Sequence, residues 1–173
     1  IRGAAQGFVR GKSIVTNAEN HTNSQLIIKM DIKDFFPSIG WRRVKGVFRQ
    51  AGYPEQIATL FAMLCTESPR QLVKQGNVIY YVALADRCLP QGAPTSPALT
   101  NIISLNLDRR LTGLAEKHGL RYSRYADDLT FSLPAEATID TKAKNTLIST
   151  LLGSVTKILT EEGFAINAKK THI

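Results

Sequence analysis

Apolar positions along the chain follow two rhythms, and their alternation predicts the order of elements. Residues 26–32, Leu-Ile-Ile-Lys-Met-Asp-Ile, form an apolar run interrupted only by Lys29 and Asp31, which reads as a buried strand. Pro37-Ser38 ends it, and Ser38 is placed to cap a helix to about residue 51 with Val44, Val47, Phe48 and Ala51 as its stripe and Gly52 as its stop. A second helix is expected after Pro54, with Ile57, Leu60, Phe61 and Leu64 facing inward. Residues 71–85 read as a hairpin turning around Gln75-Gly76-Asn77. After the loop from Cys88 to Pro97, one long helix to about Lys117 is expected, buried through Leu99, Ile102, Ile103, Leu107, Leu111 and Leu114.

Two short strands follow, at about 121–126 and 129–133. The last helix is expected from about Asp140 to Glu162, with Leu147, Leu151, Val155, Ile158 and Leu159 as its stripe, and Gly163-Phe-Ala-Ile-Asn167 opens a final strand. This order suggests an α+β sheet with helices packed on one face. Residues 1–25 are polar, rich in Gly, Asn and Ser, and show little apolar periodicity.

Composition narrows the picture modestly. A chain of 173 residues fits one domain with a sizeable core. No run of about 18 apolar residues exists, so no membrane-spanning helix is expected, and the opening residues show no secretory signal. Cys65 and Cys88 lack ligand-like spacing and read as thiols in a reducing compartment. The net charge of +8 suits a polyanion, because Lys and Arg facing phosphates release counterions, and it suits an acidic protein partner equally.

The chemistry concentrates at acidic residues. Ser-Arg-Tyr-Ala-Asp-Asp-Leu-Thr-Phe, residues 123–131, sets Asp127 beside Asp128 between two apolar strands. Like charges so close repel and raise a pKa unless a cation sits nearby, although a polar hairpin tip alone would also carry such residues. Asp31 closes an otherwise apolar strand, where a lone charge is costly unless it is paired or holds metal. Three carboxylates from neighbouring strands suit hard, oxygen-seeking cations such as Mg²⁺. A pair of such ions about 4 Å apart activates a hydroxyl and stabilises a leaving oxygen in phosphoryl transfer.

Four segments in order then resemble the palm motifs of reverse transcriptases: Asp31-Ile-Lys-Asp-Phe-Phe36, Leu89-Pro-Gln-Gly92, Tyr125-Ala-Asp-Asp128 and Gly163-Phe-Ala-Ile-Asn167 with Lys170-Thr171. Asn17-Ala-Glu-Asn-His21 resembles the NAxxH element of retron-type bacterial enzymes, and Gln91-Gly-Ala-Pro-Thr-Ser-Pro97 fits retron and group II intron relatives alike.

The resemblance implies a right-hand polymerase palm, a ferredoxin-like antiparallel sheet backed by helices, spanning residues 26–173. Residues 1–25 would be a fingers remnant or connection. The chain is then expected to be a palm-centred piece without thumb or N-terminal fingers. The implied activity is RNA-directed DNA synthesis with two Mg²⁺ ions, Mn²⁺ being a substitute. RNA template, DNA primer, deoxynucleoside triphosphates and a structured non-coding RNA are the implied partners, in the bacterial cytoplasm. Intron-like and phage-defence (antiviral) polymerases remain alternatives, as does a non-catalytic RNA-binding protein with a polymerase-like core.

By the same resemblance Asp31, Asp127 and Asp128 are the metal ligands, with the Ile32 carbonyl touching the nucleotide-side ion. Phe36 would exclude a ribose 2′-hydroxyl while Phe35 fills core. Gln91 and Gly92 would contact the incoming nucleotide. Lys170, or its neighbour Lys169, would assist pyrophosphate departure. Asn17 and His21 are candidate RNA contacts, and His21 also reads as a metal or catalytic group, or as a structural hydrogen-bonding residue. Arg10, Lys12, Arg42, Arg43 and Lys45 are candidate phosphate contacts.

Overall fold

The structure is a computed structural model that describes residues 3–173. The chain forms two compact units, one from the segment up to Asp34 together with Ser104–Ile173, the other from Phe35–Ile103. The units therefore do not divide at the boundary expected between residues 25 and 26. Residues 1 and 2 of the expected fingers segment lie outside the described residues.

The first unit is built on an antiparallel sheet of β1 (Ser24–Asp31), β4 (Arg121–Tyr125) and β5 (Asp128–Pro134), in the order β1-β5-β4. Register decides which residues share a face. Asp31 lies opposite Asp128, Lys29 opposite Thr130, Tyr125 opposite Asp128 and Ser123 opposite Thr130. With a two-residue period these polar residues line one face, while Ile28, Met30, Leu129, Phe131 and Leu133 line the other, where all five are buried. Each such side chain contributes about 1.5–3 kcal/mol on leaving water.

Two helices supply that core from the other side. α5 (Leu105–Lys117) packs on β4 and on α6 (Thr141–Glu161), burying Leu107, Leu111, Leu151, Val155 and Leu159. Asp140 caps α6 by accepting from the Ala143 N–H at 2.6 Å, so the expected start is met. The short helix α1 (Ile14–Glu19) is closed by a reciprocal Ser13–Thr16 capping box and packs on β4.

The expected final strand is reduced to single bridges. Ile32 pairs with Ile166 and Lys29 with His172, around a 3₁₀ turn at Ala168–Lys170. The turn lifts residues 168–170 out of the ladder and carries Lys170 back toward Asp31.

The second unit contains α2 (Trp41–Gln50), α3 (Glu55–Cys65), the β2–β3 hairpin (Arg70–Gln75 and Val78–Ala83) and α4 (Ser96–Ile103). Three expectations fail here. Gly40, not Ser38, stands at the cap of α2, because Ser38 Oγ donates instead to the Phe35 carbonyl at 2.7 Å. On α3 the buried positions are Ala58 and Ala62, whereas Leu60 and Leu64 are 53% and 75% exposed. The small residues let α3 lie close on α2, which turns the stripe by about one residue. The long helix expected to Lys117 is two helices, α4 and α5, broken at Ser104 (φ −84°, ψ 0°). The hairpin forms with the expected turn, Gly76 at φ 61°, although all twelve strand residues are exposed.

Candidate active site

β1 and β5 set the acidic residues. The pairing of Asp31 with Asp128 places these two carboxylate-bearing positions side by side at the end of the sheet, and Ile32 N–H donates to the Asp127 carbonyl at 3.0 Å. Tyr125 and Asp128 close a two-residue hairpin through Ala126 and Asp127. Ala126 holds φ 56°, and it is the only central residue with positive φ, as in a II′ turn. Asp31, Asp127 and Asp128, drawn from positions about a hundred apart, are thus brought together as expected.

Their electrostatics are those of a crowded anionic cluster. Burial first, and then the neighbouring Asp127 and Asp31 carboxylates, hold the Asp128 carboxyl above the usual aspartate range. Asp31 is buried and engaged on both oxygens, by Asn167 Nδ2 at 2.9 Å and by Lys170 Nζ at 3.2 Å. That hydrogen bond and the Asp31 charge push the Lys170 ammonium above its ordinary value. A cavity of about 230 Å³ opens on this face, lined by Asn17, Lys29, Asp31, Tyr125, Asp128 and Lys170 among others.

The donor chemistry fits a divalent cation. The carboxylates are hard oxygen ligands whose mutual repulsion a cation relieves, and Lys170 already supplies one positive charge to Asp31. Among the described residues, no three His, Cys, Asp or Glu side chains are gathered closely enough to form a finished cage. A divalent cation there would compete with Lys170 for Asp31.

His21 is turned into the protein rather than toward a ligand. It is 6% exposed, with Nδ1 2.7 Å from Ser132 Oγ and Nε2 2.7 Å from Ser123 Oγ. Ser123 donates its hydroxyl to Asn17 Oδ1 at 2.7 Å, so it accepts from His21 Nε2–H. Nδ1 then accepts from Ser132. With both ring nitrogens spent, the expected RNA contact by His21 gives way to a structural role, tying α1 to β4 and β5. Asn17 takes part in the same network and also lines the cavity. Ile32 is buried at 1% exposure beneath the cluster.

Phe36, Gln91 and Gly92 belong to the second unit. Phe35 is buried and Phe36 half-buried, their ring centroids 5.7 Å apart. Gln91 is exposed, and Gly92 adopts φ 90°, a conformation that glycine takes without strain. Of the expected phosphate contacts, Lys45 is spent on Glu55 at 2.6 Å and Arg42 lies 3.9 Å from Asp86. Cys88 is buried and Cys65 partly so, both as free thiols.

Sequence reasoning missed a buried ion pair behind the cluster. Arg124 donates from Nε and Nη2 to the two oxygens of Asp108, both at 2.8 Å, and from Nη1 to the Ala126 carbonyl at 3.0 Å. The signal was available. Two-residue alternation puts Arg124 on the apolar face of β4, where a charge requires a partner, and Asp108 interrupts the stripe of α5.

Comparison with known proteins agrees with this geometry. The profile of the family described as "Reverse transcriptase (RNA-dependent DNA polymerase)" matches residues 1–173. The chain is 45% identical over 174 residues to the retron Mx162 reverse transcriptase of Myxococcus xanthus, covering 100% of this chain and 36% of that protein. It is 37% identical over 167 residues to the retron Ec86 reverse transcriptase of Escherichia coli, covering 96% of this chain and 44% of that protein. It thus spans between a third and a half of these relatives' length. Among solved structures, telomerase from Candida albicans in complex with a telomeric RNA fragment superposes with a TM-score of 0.54 at 12% identity, over 98% of this chain and 32% of that one. This likeness bears out the expected polymerase-palm fold. Ordered motifs, the meeting of Asp31 with Asp127-Asp128 and full-length profile coverage lead to one assignment: the chain belongs to the reverse transcriptase family, in its retron-type bacterial branch.

Proposed function

We infer that the protein carrying this chain is an RNA-directed DNA polymerase of retron type. It adds deoxynucleotides to a primer 3′-hydroxyl in the bacterial cytoplasm, with an RNA template, and a structured non-coding RNA is a further partner. The observation that carries the reading is the meeting of Asp31 with Asp127-Asp128 beside an open cavity in a reverse transcriptase chain. Asp31, Asp127 and Asp128, with the Ile32 carbonyl, are the residues proposed to hold two Mg²⁺ ions, which Mn²⁺ can replace. When bound, the metal supplies charge neutralisation for the attacking and leaving oxygens.

The chain's own groups do the rest. The 3′-oxygen bonds to the α-phosphorus as the α–β phosphoanhydride bond breaks; the hydroxyl proton passes to water and pyrophosphate leaves. Lys170, held protonated at Asp31, is poised to give charge or a proton to the leaving pyrophosphate. Phe36 is proposed to exclude the 2′-hydroxyl, and Gln91 with Gly92 to contact the incoming nucleotide. Asn17 remains the proposed RNA contact of the NAxxH element.

The test is primer extension by the full-length protein with an RNA template, deoxynucleotides and Mg²⁺. Wild type should extend, and Asp127→Asn should lower the rate by about 10²–10³-fold or more, the scale of losing transition-state charge stabilisation. RNA binding without extension, unchanged by Asp127→Asn, would instead identify a non-catalytic RNA-binding protein.

A further inference from the structure

The left-handed turn that presents the aspartate pair is held from behind. Ala126 sits at φ 56°, where a β-carbon is unfavourable and glycine is the ordinary occupant. Such a conformation persists only where the surroundings over-determine it. Two independent contacts do so here. Arg124 Nη1 donates to the Ala126 carbonyl, and the same guanidinium is locked by its fork onto Asp108, the side chains being 0% and 2% exposed. Tyr122 Oη donates to Asp108 Oδ1 at 3.0 Å and steadies the carboxylate. From the N-terminal segment, Gly7 lies so close that a β-carbon there would stand 2.5 Å from the Ala126 nitrogen and 3.1 Å from the Tyr125 carbonyl carbon. That segment is itself pinned to β4, Gln6 N–H to the Arg124 carbonyl and Arg124 N–H to the Ala4 carbonyl, each at 2.7 Å.

We propose that Arg124, fixed by Asp108, is a positioning residue that holds the Ala126 carbonyl and, with the close approach of Gly7, fixes the turn that aims Asp127 and Asp128. This rests on the polymerase reading of the same site. Arg124 lies on the sheet face opposite Asp128. Its fork is what a lysine cannot copy, because a single ammonium cannot reach both Asp108 oxygens and the Ala126 carbonyl.

The test uses the full-length protein and two readouts, primer extension and Mn²⁺ affinity measured by electron paramagnetic resonance. Arg124→Lys keeps the charge facing Asp108. It should lower kcat by about 10–100-fold, the scale of a small misplacement of catalytic groups, with the deoxynucleotide KM within about twofold. Mn²⁺ binding should weaken in parallel. Adding Ala126→Gly, which makes the left-handed turn cost little, should restore at least about fivefold of the lost kcat. A loss confined to the ion pair would not respond to that change. If Arg124→Lys does not fold, Gly7→Ala carries the test, since it leaves the ion pair intact and should reproduce both losses.

Wild-type kcat and Mn²⁺ affinity in a folded Arg124→Lys or Gly7→Ala protein would overturn the proposal. So would a kcat loss with unchanged Mn²⁺ binding and no rescue by Ala126→Gly. If wild type extends no primer, the polymerase reading falls, and Mn²⁺ affinity alone judges the positioning role: unchanged affinity in Arg124→Lys overturns it.

Discussion

Acidification should destabilise the fold through His21, and the size of the effect follows from its burial. The ring is enclosed between Ser123 and Ser132, both nitrogens bonded. Burial first, then the charges of Arg121 and Lys29, lower its pKa from 6.5 to about 4. The unfolded chain therefore binds a proton that the folded chain refuses. Stability is complete above pH 6.5, falls as pH drops from 6.5 toward about 4, and levels off below that. The gap from 6.5 to about 4 corresponds to roughly 3–4 kcal/mol at about 1.36 kcal/mol per pH unit. For a chain of 173 residues this is about 7–14 °C in Tm.

The assay is thermal unfolding from pH 7.5 to 4.5 for wild type and His21→Gln. The raised Asp128 contributes a slope of opposite sign, since its folded form holds a proton more readily, so the difference between the two proteins isolates the histidine. His21→Gln should lose about 1–3 kcal/mol at pH 7.5, because its hydroxyl partners are left poorly matched. It should also show a shallower decline on acidification than wild type. Parallel pH profiles in the two proteins would refute the reasoning.

The rotated stripe of α3 gives a paired prediction. Leu64→Lys should leave stability within about 0.5 kcal/mol, whereas Ala62→Leu should cost about 1–3 kcal/mol by overfilling a fully buried position, both read by urea unfolding. Phe36→Val should raise ribonucleotide incorporation relative to deoxynucleotide incorporation in single-nucleotide extension, and an unchanged ratio would remove Phe36 from sugar selection. Asp31→Asn should abolish extension while shifting stability by only about 0–1 kcal/mol, since its ion pair with Lys170 is partly open to solvent.

Much of the site was legible because its residues break local rules. Asp31 ends an apolar strand and Asp127-Asp128 sits at a hairpin tip, so charge in an apolar setting marked both, and their order along the chain named the family. Strand limits were legible because a two-residue period changes face with every step. Helix faces were harder. On α3 the large residues look buried by periodicity, yet close packing selects the alanines. The break at Ser104 carries no glycine or proline to announce it. The role of His21 depended on Ser123 and Ser132, more than a hundred residues away, which no local pattern connects. Arg124 falls within the aspartate motif, but its partner Asp108 lies on another element and only the register reveals the need for it.

Asp31 and the Asp127-Asp128 pair are proposed to hold together the ions of phosphoryl transfer. The most direct measurement is the position of Mn²⁺, by anomalous scattering, in crystals of the full-length protein with primer, RNA template and a non-hydrolysable deoxynucleotide. The expected result is Mn²⁺ bound between Asp31 and the aspartate pair, with Lys170 displaced from Asp31 toward the phosphates. Mn²⁺ bound elsewhere, with the Asp31–Lys170 pair still closed over the site, would contradict it.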